Sequence, residues 1–110
     1  MSTISTHVLD TTLGRPAEGI RVTLEGPSGE TLGAGTTDAD GRLRDLLPAG
    51  AALDEGTYLL RFAVGGYFAL TGRDAFYPEV VVVFRVGAGK EHYHVPLLLS
   101  PFGYSTYRGS

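Results

Sequence analysis

Two stretches of strict alternation limit what this chain can fold into more than any other feature. From Gly19 to Glu25, Ile20, Val22 and Leu24 alternate with Arg21, Thr23 and Glu25; later, Tyr58, Leu60, Phe62 and Val64 alternate with Thr57, Arg61 and Ala63. A period of two puts apolar side chains on one face of a pleated strand, so both stretches predict half-buried strands. Turn formers close each of them, Gly26-Pro27-Ser28-Gly29 after the first and Gly65-Gly66 after the second. The 16 Gly and 6 Pro are a fifth of the 110 residues and are spread along the whole chain, as in folds of short strands joined by tight turns.

The rest of the chain extends this pattern. Residues 31–37 read as a weaker strand interrupted by glycine, followed by the turn Asp38-Ala39-Asp40-Gly41 and an extended segment with Arg42 and Arg44 on one face. A calcium loop of the EF-hand kind fails there, because Leu43 stands where glycine is needed and Ala49 where the closing Glu belongs. Residues 66–72 lack a β-branched run and predict one short helix around Tyr67 to Leu70. Residues 80–86 are apolar on both parities, which predicts a strand whose second face is covered, by another subunit or by a second sheet. In the stretch from Glu91 to Ser100, Tyr93, Val95, Leu97 and Leu99 face the core and His92, His94 and Leu98 face away; Pro96 predicts an edge or a bulge mid-strand. The expected fold is all-β, a sandwich of about seven or eight strands with one short helix, as a single domain spanning 1–110.

Composition excludes several function classes. With 43% hydrophobic and 19% charged residues and a net charge of −3, neither disorder nor a nucleic-acid-binding surface is expected. The absence of cysteine removes disulfides, thiolate metal sites and cysteine nucleophiles. No 18-residue apolar run and no leader-like start suggest a membrane or export route, so a cytoplasmic location is expected.

Chemistry must then come from His, Arg, Ser, Tyr or carboxylates. Strand parity turns all three histidines outward: His7 shares a face with Ser5 and Leu9, opposite Ile4 and Val8, and His92 and His94 lie opposite the apolar side of theirs. His92 and His94, at i and i+2, suit two ligands of a metal ion, but no third ligand is evident nearby, so no metal and no other cofactor is expected. No Gly-x-Ser-x-Gly elbow is present, which disfavours a covalent triad. Non-covalent acid–base hydrolysis remains, with imidazoles that titrate near ~6.5 when unperturbed moving protons and an arginine holding an anion. His7, His94 and Arg42 have the required side chains.

Four segments together resemble a known family. Thr6-His7-Val8-Leu9-Asp10, Asp40-Gly41-Arg42, Phe76-Tyr77-Pro78-Glu79 and the ending HYHVPLLLSPFGYSTYRGS are similar to the transthyretin-like 5-hydroxyisourate hydrolases of urate breakdown, over nearly the whole chain. The resemblance implies a transthyretin-like sandwich assembled as a homotetramer, a dimer of dimers around a channel. It implies conversion of 5-hydroxyisourate to 2-oxo-4-hydroxy-4-carboxy-5-ureidoimidazoline without metal. It places catalytic residues at His7, His94, Arg42 and Ser110, with Arg42, His92, Tyr107 and Ser110 contacting substrate. A non-catalytic transthyretin-like carrier of small aromatic ligands is the alternative. His7, Arg42 and His94 would present costly polar groups to an apolar ligand, which favours the hydrolase. Tyr93, Phe102, Tyr104 and Tyr107 are expected chiefly to pack, and Asp38, Asp40 and Glu91 to serve turns and surface.

Overall fold

The computed structural model describes residues 2–110 and is a two-sheet sandwich. Along the chain run β1 (Thr3–Asp10), β2 (Arg15–Pro16), β3 (Arg21–Glu25), β4 (Thr31–Thr36), β5 (Arg42–Leu43), β6 (Gly56–Phe62), α1 (Val64–Leu70), β7 (Val80–Val86), β8 (His92–Ser100) and β9 (Gly103–Thr106). One sheet has the order β2-β1-β8-β9, with β5 also paired to β1; the other has the order β4-β3-β6-β7. The two alternating stretches become β3 and β6, antiparallel neighbours with Val22 opposite Phe62 and Leu24 opposite Leu60, all four fully buried. From the facing sheet Ile4, Val8, Leu97 and Leu99 fill the other half of the core.

The pairing that matters for function is parallel. β1 and β8 lie side by side, with Thr3 opposite His92, Ser5 opposite His94 and His7 opposite Pro96. The first and last thirds of the sequence thus share one outer face.

Pro96 sits inside the sheet rather than at its edge, and no register shift marks it. Leu97 pairs with Thr106 and His94 with Gly109, in one continuous register that skips the positions opposite Val95 and Pro96. A proline has no N–H to give, so the ladder lapses there instead of bulging. Its carbonyl is satisfied by the Thr106 hydroxyl at 2.7 Å.

Helix α1 begins at Val64, two residues before the expected segment, and has no side-chain cap. Packing holds it, through buried Val64, Tyr67 and Phe68. It is also fastened to β1. Asp10, fully buried at the end of β1, accepts hydrogen bonds from the Tyr67 hydroxyl at 2.7 Å, Arg73 at 2.5 Å and the Leu13 N–H at 3.0 Å. Burial alone would raise the Asp10 carboxyl, but these donors together outweigh it and hold the group below its ordinary value.

Among the described residues, strand β7 pairs only with β6 and forms a sheet edge. Val83 on its outer side is 63% exposed, so within one chain the second apolar face of this strand stays uncovered.

Candidate active site

The site grows from the outer face of β1 and β8 and the segment that crosses β1. β5 is only two residues long, yet it pairs Arg42 with His7 and Leu43 with Thr6. The preceding turn is tightly built. Asp38 Oδ1 accepts the N–H groups of Asp40 and Arg42, each at 2.9 Å, and the Arg42 amide foremost holds the Asp38 carboxyl below its ordinary value. Gly41, at φ +73°, carries the chain past β1 so closely that a Cβ there would lie 2.3 Å from the Val8 carbonyl oxygen. The turn therefore delivers both the Arg42 side chain and the Asp40 carbonyl to His7.

That carbonyl sets the state of His7. His7 Nε2 lies 2.8 Å from Asp40 O, and a carbonyl only accepts, so Nε2 carries the proton and, in the neutral ring, Nδ1 carries the lone pair.

His94 has a different environment. Its Nδ1 is 2.9 Å from Ser5 Oγ, which in turn is 2.8 Å from His92 Nε2; His92 Nδ1 is 2.6 Å from Thr3 Oγ1. Both nitrogens of His92 are therefore used within the protein. Burial lowers the pKa of His94, and the positive surroundings from Arg42, His7 and His92 lower it further. A neutral imidazole at pH 7 is the consequence.

The chain end closes the site. Gly109 N–H donates to the His94 carbonyl at 2.8 Å, and a Cβ on Gly109 would stand 2.6 Å from His94 Cδ2, so only glycine fits against that ring. One residue earlier, Arg108 pairs with Glu91 at 3.1 Å and stacks over the Tyr93 ring, 4.7 Å from its centroid. Hydrogen bonds from Tyr93 and then Arg108 keep the Glu91 carboxyl below its ordinary value. Glu91, expected to be a plain surface charge, helps to anchor the tail.

The result is a cleft of about 340 Å³ lined by Ser5, His92 and His94, by Arg42 and Arg44, and by Ser110. Two arginines and no acidic side chain line it, which suits an electron-rich, oxygen-bearing ligand. Of the residues expected from sequence, Arg42, His92, His94 and Ser110 meet in this cleft, with His7 paired to Arg42 beside it. Tyr107 does not. It lines a separate, mostly apolar cleft of about 300 Å³ with Val82, Val83 and Tyr93, at the open edge of the sandwich. Ser5 and Arg44 are not among the residues expected from sequence, although Ser5 shares a strand face with His7 and Arg44 follows Arg42 by two positions. Among the described residues, no three His, Asp or Glu side chains converge to hold a metal ion, and no helix is long and apolar enough to cross a membrane.

Comparison with known proteins agrees with this architecture. The model of the HIUase/Transthyretin family matches residues 4–109. A 5-hydroxyisourate hydrolase of Salmonella dublin is 49% identical over 110 residues, covering 97% of this chain and 80% of that protein. The solved structure of Klebsiella pneumoniae 5-hydroxyisourate hydrolase superposes with a TM-score of 0.90 at 43% identity, covering all of both chains. Sea bream transthyretin in complex with thyroxine superposes at 0.88 with 28% identity, over 97% of this chain and 94% of that one.

Proposed function

The chain belongs to the HIUase/transthyretin family, and from the cleft it builds we propose that it hydrolyses 5-hydroxyisourate to 2-oxo-4-hydroxy-4-carboxy-5-ureidoimidazoline, without a metal. The observation that carries this reading is the pairing of His94, whose pKa is lowered, with Arg42 in one small polar cleft. Named relatives that are 5-hydroxyisourate hydrolases support the same substrate.

In this account His94 Nε2 takes a proton from water as the water attacks the ring amide. Arg42 holds the oxygen on which negative charge develops, a planar, permanently charged group suited to that task. The proton taken up by His94 Nε2 then passes to the leaving ring nitrogen, which returns that imidazole to its neutral form, while His7, fixed through Nε2–H on the Asp40 carbonyl, accepts a substrate N–H on Nδ1. Ser110 offers its hydroxyl to the substrate. His92 acts through the protein rather than on the substrate, because both its nitrogens are engaged.

Homotetrameric assembly and a cytoplasmic setting belong to the same proposal. The edge of β7, its exposed Val83 and the adjoining apolar cleft with Tyr107 support a subunit contact there, giving Tyr107 an interface role.

A carrier and an enzyme separate by stoichiometry. Protein at one hundredth of the substrate concentration should speed the ultraviolet decay of freshly made 5-hydroxyisourate, before and after chelator treatment. A carrier would leave the decay unchanged at that ratio. Deleting Ser110 should lower kcat/KM at least about tenfold, the loss of one or more charge-assisted or polar contacts in the transition state, with the mass in solution still that of a tetramer. Full activity in the deletion variant would remove Ser110 from the site.

A further inference from the structure

The chain of contacts behind His94 has only two complete arrangements of hydrogens. Thr3, His92, Ser5 and His94 are linked by three contacts of 2.6, 2.8 and 2.9 Å, and each contact needs one donor and one acceptor. With both imidazoles neutral, all hydrogens point one way along the chain or all point the other. In the first arrangement His94 Nδ1–H donates to Ser5, Ser5 donates to His92 Nε2, and His92 Nδ1–H donates to Thr3. His94 Nε2 then carries a lone pair. In the second, Thr3 donates to His92 Nδ1, His92 Nε2–H donates to Ser5, and Ser5 donates to His94 Nδ1; His94 Nε2 is then already protonated.

We propose that Ser5 and His92 are positioning residues that hold His94 in the first arrangement, with its proton on Nδ1 and its basic lone pair on Nε2. This rests on the hydrolase reading above, in which Nε2 receives the proton of water. The surroundings of the chain favour the first arrangement. Ser5 is only 7% exposed and its hydroxyl bridges the two imidazoles in either arrangement, so the choice falls to what lies at the two ends. Arg42 of β5 shares the cleft with His94 and carries a permanent positive charge, beside which a lone pair on Nε2 is more favourable than an N–H. Thr3 at the far end is exposed, so its own hydrogen is free to meet water while its oxygen accepts from His92.

The proton count closes on this arrangement. When His94 Nε2 takes a proton from water the ring becomes an imidazolium, and Ser5 Oγ continues to accept from Nδ1–H. No hydrogen in the chain has to turn. The hydroxyl therefore stabilises the charged intermediate in the way a carboxylate does in a catalytic triad, with a smaller effect because it is neutral. His92 contributes by accepting the Ser5 hydrogen, which leaves the Ser5 lone pair facing His94.

The test uses full-length protein labelled with nitrogen-15 in histidine, with the tautomer of neutral His94 read from its two ring-nitrogen shifts. The wild type should show His94 protonated on Nδ1. Ser5→Ala should move His94 toward the Nε2-protonated form that free neutral imidazole side chains prefer, and lower kcat by about 10- to 100-fold with KM nearly unchanged. Ser5→Thr, which keeps a hydroxyl, should retain the wild-type tautomer. His92→Ala changes an exposed side chain and so does not depend on the buried site tolerating a substitution. It should shift the tautomer in the same direction as Ser5→Ala. Finding His94 protonated on Nε2 in the wild type overturns the proposal, as does a tautomer that stays on Nδ1 in both Ser5→Ala and His92→Ala. The shifts decide this even if the wild type fails to hydrolyse 5-hydroxyisourate, so failure of the hydrolase reading is recorded separately.

Discussion

Replacing His94 with asparagine should lower kcat for 5-hydroxyisourate by about two to four powers of ten, the range expected when a proton-transfer group is lost. Asparagine has no basic nitrogen at neutral pH. Arg42 and Ser110 remain in place, so substrate should still bind and kcat and kcat/KM should fall together. The fold should survive, because His94 is only half-buried and its backbone bond to Gly109 does not involve the side chain. Steady-state decay of the substrate, with thermal melting and solution mass measured on the same samples, separates these outcomes. A variant with near-normal kcat would leave the cleft without its base.

The second large effect is on stability and lies away from the cleft. Asp10→Ala removes the acceptor shared by Tyr67 and Arg73 and leaves a guanidinium whose side chain is 19% exposed without a counter-charge. Breaking a buried pair from one side typically costs about 3–5 kcal/mol. In a domain of this size that corresponds to a fall in Tm upwards of about 10 °C at fixed protein concentration. The helix α1 would lose the hydrogen bond by which its Tyr67 is fastened to the end of β1, while the core beneath it stays intact. Since the folded-state pKa of Asp10 is lowered, its contribution is fully present above the unfolded value near ~3.9 and is lost as pH falls through the folded value. Asp10→Ala should therefore lose less stability than the wild type as the pH is taken down below the ordinary aspartate value. Thermal scans across that range check both statements. Equal melting temperatures for variant and wild type at pH 7 would mean that the Asp10 cluster holds nothing.

Much of this was legible in the sequence because strand parity is a local property. Alternation located β3 and β6, and it turned His7, His92 and His94 outward before any contact was known. Register is not local. Nothing in the residues near Ser5 indicates that β8, almost ninety positions later, lies parallel to β1 with His94 opposite it. A serine on a polar face looks like any solvated residue until that partner arrives. Asp10 was hidden for the same reason, since Tyr67 and Arg73 come from the far side of the sandwich. The missing N–H of Pro96 is legible in the sequence, but the edge or bulge expected from it does not form, because the chain meets the constraint by leaving a gap in the ladder beside the tail. The early start of α1 follows from Val64, whose β-branched side chain reads as strand but is buried completely at the first turn of the helix.

The most direct measurement is the pH dependence of kcat/KM for freshly made 5-hydroxyisourate, corrected for spontaneous decay, in the wild type and in His94→Asn. Burial and the nearby Arg42 lower the His94 pKa, so the neutral, active form dominates above that value and is lost as pH falls through it. The wild-type rate should thus hold through pH 7 and decline only below the ordinary imidazole range near ~6.5, and His94→Asn should lack that decline. A wild-type profile that rises toward acid, or the same acid limb in both proteins, would contradict a neutral His94 acting as the base.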